Sequence, residues 1–247
     1  MIRCCAAAIA ALMLTTPALA QDSPADRPSI TVVGEGRVET SPDRFRVTAD
    51  IEGRGTDQVA ALRALSTVQI RISDVEKLEG LRTARLTTGA PKVTATFDPQ
   101  CGSNDYRRDT DTCPIVGYVA STSLTLEAGP VARAGDALSL ASERGARNAR
   151  VESFYLADPA AQSLAAQRDA FADARRQADA LATASGQRIL RILRLQDPDA
   201  QRGGGMAYGY SEEIIVTGQR IQPAVRLDVA PPPVRTEARV LATFEIE

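Results

Sequence analysis

Cys101 and Cys113 are the residues best equipped for chemistry, and they flank a polar loop, Gly102 to Thr112. In an oxidising compartment, two cysteines at the neck of a hairpin most simply form a disulfide. Closing a loop of that size stabilises a fold by roughly 3 kcal/mol in the chain-entropy account. The alternative is a redox pair that consumes oxidants, with Arg107 and Arg108 lowering a thiol pKa. Catalytic pairs usually sit closer, as Cys-x-x-Cys, so the disulfide is the favoured reading. Asp98, Asp105, Asp109 and Asp111 crowd the same loop. Calcium takes oxygen ligands, but these carboxylates lack the spacing and the glycine of a calcium loop, and arginines interrupt them. A solvated loop is the expectation, with no metal and no cofactor.

Two other segments invite a functional reading. Gly34-Glu35-Gly36 resembles part of a nucleotide-binding turn. It lacks the third glycine and no helix follows, so bulge formation or close backbone packing fits better. Glu212 to Arg220 resembles the TonB-box region of TonB-dependent outer-membrane receptors. Such segments work by adding a strand to a partner's sheet. Glu213, Ile214, Ile215, Val216, Thr217 and Gly218 are its candidate partner-binding residues. Because the segment lies inside a Gly/Pro-rich stretch, an edge strand or flexible insertion is the favoured reading.

Missing residue types narrow the field further. The chain has no histidine, which removes Ser-His-Asp and Cys-His catalysis and imidazole metal ligands. It has no tryptophan and few other aromatics, which argues against stacking platforms for bases or sugars. The net charge is −2, from 29 basic and 31 acidic residues. Without a basic block, nucleic acid and anionic membrane surfaces are poor partners.

The N-terminus reads as an export signal. Met1-Ile2-Arg3 is short and basic, Ala6 to Leu14 is apolar, and Ala18-Leu19-Ala20 supplies the small-x-small pattern for cleavage before Gln21. The apolar run is too short for a bilayer, which takes about 20 residues. Cleavage removes Cys4, Cys5 and one arginine, leaving 227 residues with 28 basic and 31 acidic groups. No later segment is apolar enough to span a membrane. The mature protein is therefore expected outside the cytoplasm.

The elements that must position these residues follow from periodicity. Residues 21–28 read as a loose tail. Ile30, Val32, Gly34, Gly36 and Val38 share one strand face. After the Ser41-Pro42-Asp43 turn, Phe45, Val47, Ala49 and Ile51 alternate with polar residues, and the two strands are expected to form a hairpin. Residues 57–79 read as a helix with Leu62, Leu65, Ile72, Val75 and Leu78 inward, ended by Gly80. Residues 83–97 read as one strand that Pro91 places at an edge or bulge. It is expected to pair with a strand from Ile115 to Leu126.

Pro130 opens a helix burying Val131, Ala134, Leu138 and Ala141, which stops at Gly145. Val151 to Leu156 is a strand. A long helix from Asp158-Pro159 to about Ser185 is expected to bury Leu164, Phe171, Ala174, Ala178 and Leu181. Strands at Gln187 to Leu195 and Val240 to Ile246 complete the chain. Residues 197–233, with Gly203-Gly204-Gly205 and Pro231-Pro232-Pro233, form a variable loop in which only Ile214 to Thr217 looks strand-like. The order β-β-α-β-β-α-β-α-β-β predicts an α+β domain over 29–247, built of antiparallel hairpins with helices packed on one face. A hairpin followed by a helix occurs twice, a weak internal echo.

These motifs together resemble the SIMPL domain family. Ile30-Thr31-Val32-Val33-Gly34-Glu35-Gly36 with Ser41-Pro42-Asp43 matches its opening. Gly117-Tyr118 with Ser121 to Leu126, and Gly145-Ala146-Arg147-Asn148 with Val151 to Leu156, match two further segments. The Ala-rich helix from Arg168 to Gly186 and the closing strand Val240 to Ile246 match the rest. The family includes bacterial periplasmic proteins, an immunogenic protein among them, and members linked to oxidative-stress defence. The resemblance implies a periplasmic protein that forms homo-oligomers and supports the envelope, with no catalytic residues to carry over. A thiol-based antioxidant using Cys101 and Cys113, and a module binding an envelope protein through 212–220, are the alternatives.

Overall fold

A computed structural model of the protein describes residues 27–99, 113–199 and 221–247. The elements run β1 (Ser29–Thr40), β2 (Arg44–Gly55), α1 (Gln58–Ile72), a 3-10 turn (Ser73–Lys77), β3 (Arg82–Thr88), β4 (Lys92–Phe97) and β5 (Ile115–Gly129). They continue with a 3-10 turn (Val131–Arg133), α2 (Ala134–Glu143), β6 (Arg147–Tyr155), α3 (Ala160–Ala184), β7 (Ile189–Gln196) and β8 (Val234–Ile246). The class is α+β and the strands pair antiparallel. One sheet has the order β1-β8-β7. The other has the order β3-β5-β2-β6, with β4 beside β5.

β1 and β2 do not form the expected hairpin. β1 pairs along its whole length with β8, from Ser29↔Glu245 to Thr40↔Val234, while β2 lies between β5 and β6. The link between them is fixed from elsewhere. The Asp43 backbone N–H donates to the Tyr155 carbonyl at 3.2 Å, and its carboxylate accepts from the Ala157 N–H at 2.8 Å. The two strands also suit different layers. β2 sends Phe45, Val47 and Ile51 into a core with Leu65, Leu124 and Leu126. β1 offers Val32 and two glycines to a thinner core of Val240, Ala242, Phe244 and alanines of α3.

Those glycines set the fit of helix on strand. A Cβ at Gly34 would lie 2.0 Å from the Ala170 carbonyl oxygen, and one at Gly36 would lie 2.0 Å from that of Ala166. Backbone touches backbone, which only glycine on the strand permits. The helix answers with alanines: Ala166, Ala170, Ala174, Ala178 and Ala182 recur every four residues, all buried. Leu164 and Leu181, expected inward, are 48% and 52% exposed, because this contact has no room for a branched side chain. The other layer repeats the arrangement. A Cβ at Gly53 would lie 2.0 Å from the Leu65 nitrogen, and one at Gly55 would lie 2.3 Å from that of Ala61. The internal echo therefore rests on a Gly-x-Gly strand under an alanine-bearing helix.

Other boundaries differ for local reasons. The expected strand over 83–97 is two strands, separated by Gly89-Ala90-Pro91 and both paired to β5. The break is tied down where Gly89 N–H donates to the Ser123 carbonyl at 2.9 Å and the Thr122 hydroxyl donates to the Gly89 carbonyl at 2.8 Å. The helix expected over 57–79 ends at Ile72 and tightens into the 3-10 turn, which still buries Val75. Leu62 faces outward rather than in.

Residues 221–233 run as an extended strap over the helical side of the larger sheet. Ile221 makes a parallel bridge to Leu78, donating to the Lys77 carbonyl at 3.2 Å and accepting from Glu79 N–H at 2.9 Å. Farther on, the Leu227 carbonyl lies so close to Gly135 of α2 that a Cβ there would stand 2.1 Å away.

Gly34→Ala is expected to cost about 3 kcal/mol, since an extra carbon must displace helix backbone rather than a flexible side chain. Urea denaturation of the mature protein checks this; a loss below about 0.5 kcal/mol contradicts the close contact.

Candidate functional site

Most residues singled out by sequence fall outside the described residues. These are Ala18, Ala20 and Gln21 at the expected cleavage site, Cys101, Asp105, Asp109 and Asp111 in the loop, and the segment 212–220. Cys113 is half-buried just before β5 and has no disulfide partner among the described residues. Asp98 N–H donates to the Pro114 carbonyl at 3.2 Å, closing the loop neck. No helix among the described residues is long and apolar enough to cross a membrane. None of their His, Cys, Asp and Glu side chains gather in threes as metal ligands would.

The structure instead assembles a charged ladder on the smaller sheet. α3 covers one face of β1 and β8. The alternation that buries Val32, Gly34 and Gly36 turns Thr31, Val33, Glu35, Arg37 and Glu39 to the other face. Directly opposite on β8 stand Thr243, Leu241, Arg239, Glu237 and Arg235. The three rows charged on both strands are opposite-sign pairs: Glu35–Arg239 at 3.5 Å, Arg37–Glu237 at 3.0 Å and Glu39–Arg235 at 3.2 Å. The sign alternates along each strand as well. The Thr31 and Thr243 hydroxyls share a hydrogen bond at 3.0 Å. Glu35, Gly36, Arg37, Glu237, Ala238 and Arg239 line a shallow open depression of about 400 Å³. Such exposed pairs contribute only about 0–1 kcal/mol each to stability, so the pattern bears more on what can approach the face than on holding the fold.

The edges of this sheet are treated differently. β1 is an outer strand, and α3 caps its free backbone groups. Glu35 N–H donates to an Asp173 carboxylate oxygen at 3.0 Å, and the Gln177 amide donates to the Val33 carbonyl at 3.1 Å. The two side chains stand where a neighbouring strand would, which blocks edge-to-edge pairing there. The hydrogen bond from Glu35 holds the Asp173 carboxyl below its ordinary value, helped by the Gln177 amide and the Arg176 guanidinium at 2.7 Å. β7, the opposite edge, carries two register breaks against β8 and exposes Leu190, Ile192 and Leu195. Arg191 pairs with Glu245 at 2.5 Å, and Arg188 pairs with Glu247.

The open face of the larger sheet is also polar. Arg46 donates to Glu127 at 2.6 Å and lies over the Tyr155 ring, 5.6 Å from its centre. The Glu127 bond raises the Arg46 pKa, and burial raises that of Tyr155. This cluster is an ion pair stacked on a ring.

Local sequence carries only half of the ladder. The alternating Glu35, Arg37, Glu39 and Arg235, Glu237, Arg239 are visible as period-two charge. Their pairing depends on β1 meeting β8, about 200 residues away, and no local signal carries that.

Asp173 binds its proton less readily folded than unfolded, where a carboxyl titrates near about 3.9. Its contribution is therefore fully present above that pH and is lost as pH falls through the lower folded value. Asp173→Asn keeps the acceptor for Glu35 but removes the titration, so its stability is expected to fall less between about pH 5 and pH 2. Parallel acid-denaturation curves for variant and wild type contradict this.

A family model, SIMPL, described as a protein of unknown function (DUF541), matches residues 30–244. No curated protein matches the sequence significantly. The match takes in every described helix and, apart from Ser29 of β1 and the last two residues of β8, every described strand, and the chain belongs to the SIMPL family.

Proposed function

We propose that this SIMPL protein is exported through a cleaved signal peptide and works in the periplasm without a reaction of its own. It assembles with copies of itself and supports the envelope, including its tolerance of oxidative stress. The observation that carries this reading is the division of the described surface. Helix-facing sheet surfaces are closed by backbone-to-backbone contact, while a patterned charge ladder and a bulged apolar edge stay open. A self-complementary charge pattern suits selective recognition of a partner surface. The export signal at Met1 to Ala20 supplies the compartment.

The pairing of Cys101 with Cys113 belongs to the same reading. Tying the ends of the β4–β5 loop would stabilise the hairpin in an oxidising compartment. Thiol titration of protein purified from the periplasm is expected to find no free thiol before reduction and both after it.

Size-exclusion chromatography with light scattering on protein beginning at Gln21 tests assembly. The expected mass is a multiple of the single chain. A clean monomer at micromolar concentration contradicts the assembly reading. N-terminal sequencing of the periplasmic form is expected to begin at Gln21, and a form retaining Met1 contradicts export by cleavage.

A further inference from the structure

We propose that the open face of β1 and β8 is a two-fold, face-to-face contact between two copies of this chain. The proposal rests on the self-assembly reading and deepens it by naming the surface. Along β1 the outward residues run Thr31, Val33, Glu35, Arg37, Glu39; along β8, level with them, they run Thr243, Leu241, Arg239, Glu237, Arg235. Place a two-fold axis parallel to the strands, midway between β1 and β8, in the plane between two facing sheets. Each β1 position then faces the β8 position at the same level in the other copy. Glu35 meets Arg239 of the second copy, Arg37 meets Glu237, and Glu39 meets Arg235. Val33 meets Leu241, and Thr31 meets Thr243. All five rows match, three by charge, one apolar and one by hydroxyls.

Other two-fold placements do not match. An axis along β8 stacks Arg239 on Arg239. An axis across the strands at Arg37 stacks Glu35 on Glu39, and one between Glu35 and Arg37 sets the Glu39 carboxylate on Val33. The charge order thus selects one geometry for a second copy, and like charges, or charges set on apolar side chains, oppose the others. Twisted sheets pack with strands about 30° apart, so the match is closest around Glu35 and Arg37 and looser at the ends.

The face is accessible for this. Its six charged side chains are between 49% and 71% exposed. Docking would set each carboxylate between its own guanidinium and one from the second copy, converting exposed pairs into a shared network with less water. A contact built this way weakens with salt, because charges are screened over about 8 Å at physiological ionic strength.

Sedimentation velocity on the mature protein tests the contact with two variants. The acidic variant carries Arg37→Glu and Arg239→Glu; the basic variant carries Glu35→Arg and Glu237→Arg. Each is expected to reach half the wild-type assembled mass or less alone, since like charges then face each other. The mixture restores all six opposite-sign contacts and is expected to regain the wild-type mass. Wild-type association is expected to weaken at least about 10-fold between roughly 50 mM and 500 mM salt. Far-UV circular dichroism checks that each variant is folded.

If either unfolds, the double swap Glu35→Arg with Arg239→Glu keeps the pair within the chain. It is expected to self-associate yet pair poorly with wild type, because the guanidinium introduced on β1 would then face Arg239 of a wild-type copy. Free exchange between swap and wild type overturns the proposal. Folded variants that assemble like wild type, or a mixture that stays apart, overturn this face and leave the assembly reading standing. A wild type that is monomeric at every salt concentration overturns both.

Discussion

Glycine strands and alanine helices meet here backbone to backbone, and that contact fixes which way the neighbouring side chains point. At Gly34, Gly36, Gly53 and Gly55 the helix comes within 2.0–2.3 Å of where a Cβ would stand. Nothing larger than hydrogen fits, so helix and strand have little freedom to slide. Close packing of this kind transmits position as well as stability. With Gly34 and Gly36 seated on α3, Glu35 and Arg37 must point the opposite way, since strand side chains alternate. The same seating brings Asp173 and Gln177 to the free edge of β1. The ladder and the blocked edge both follow from where two glycines sit.

The two sheets keep separate cores, one rich in large aliphatic side chains and one built around Phe244 and alanine. Asp43 ties their connections together, holding the exit of β1 against the end of β6. The strap from Ile221 to Pro233 then crosses the helices of the larger sheet before its chain becomes β8 of the smaller one. The strap thus touches Leu78 and α2 in one layer and leads directly into the start of the ladder in the other.

Much of the fold is legible wherever one residue's environment is set by its neighbours in sequence. Alternation in β2 identifies its buried face correctly, because Phe45, Val47, Ala49 and Ile51 all turn inward. Gly145 and Gly186 sit at positive φ where helices are expected to stop. Legibility fails where partners are distant or where small residues matter more than large ones. Leu164 and Leu181 stand out by hydropathy, yet the contact belongs to Ala166, Ala170 and Ala182, whose value lies in what they lack. A hairpin of β1 with β2 is plausible from the short turn, yet Asp43 binds Tyr155 and Ala157 instead. The charge ladder is half visible on each strand and meaningless until the strands are paired.

Carboxylate footprinting reads whether the patterned surface of β1 and β8 is where copies of this chain meet. Mature protein is labelled with a carbodiimide and an amine at dilute and at assembled concentrations, and each site is read by mass spectrometry. Glu35, Glu39 and Glu237 are expected to lose reactivity on assembly while Glu143, on α2, is not. Equal labelling of the ladder at both concentrations, with protection elsewhere, would contradict it.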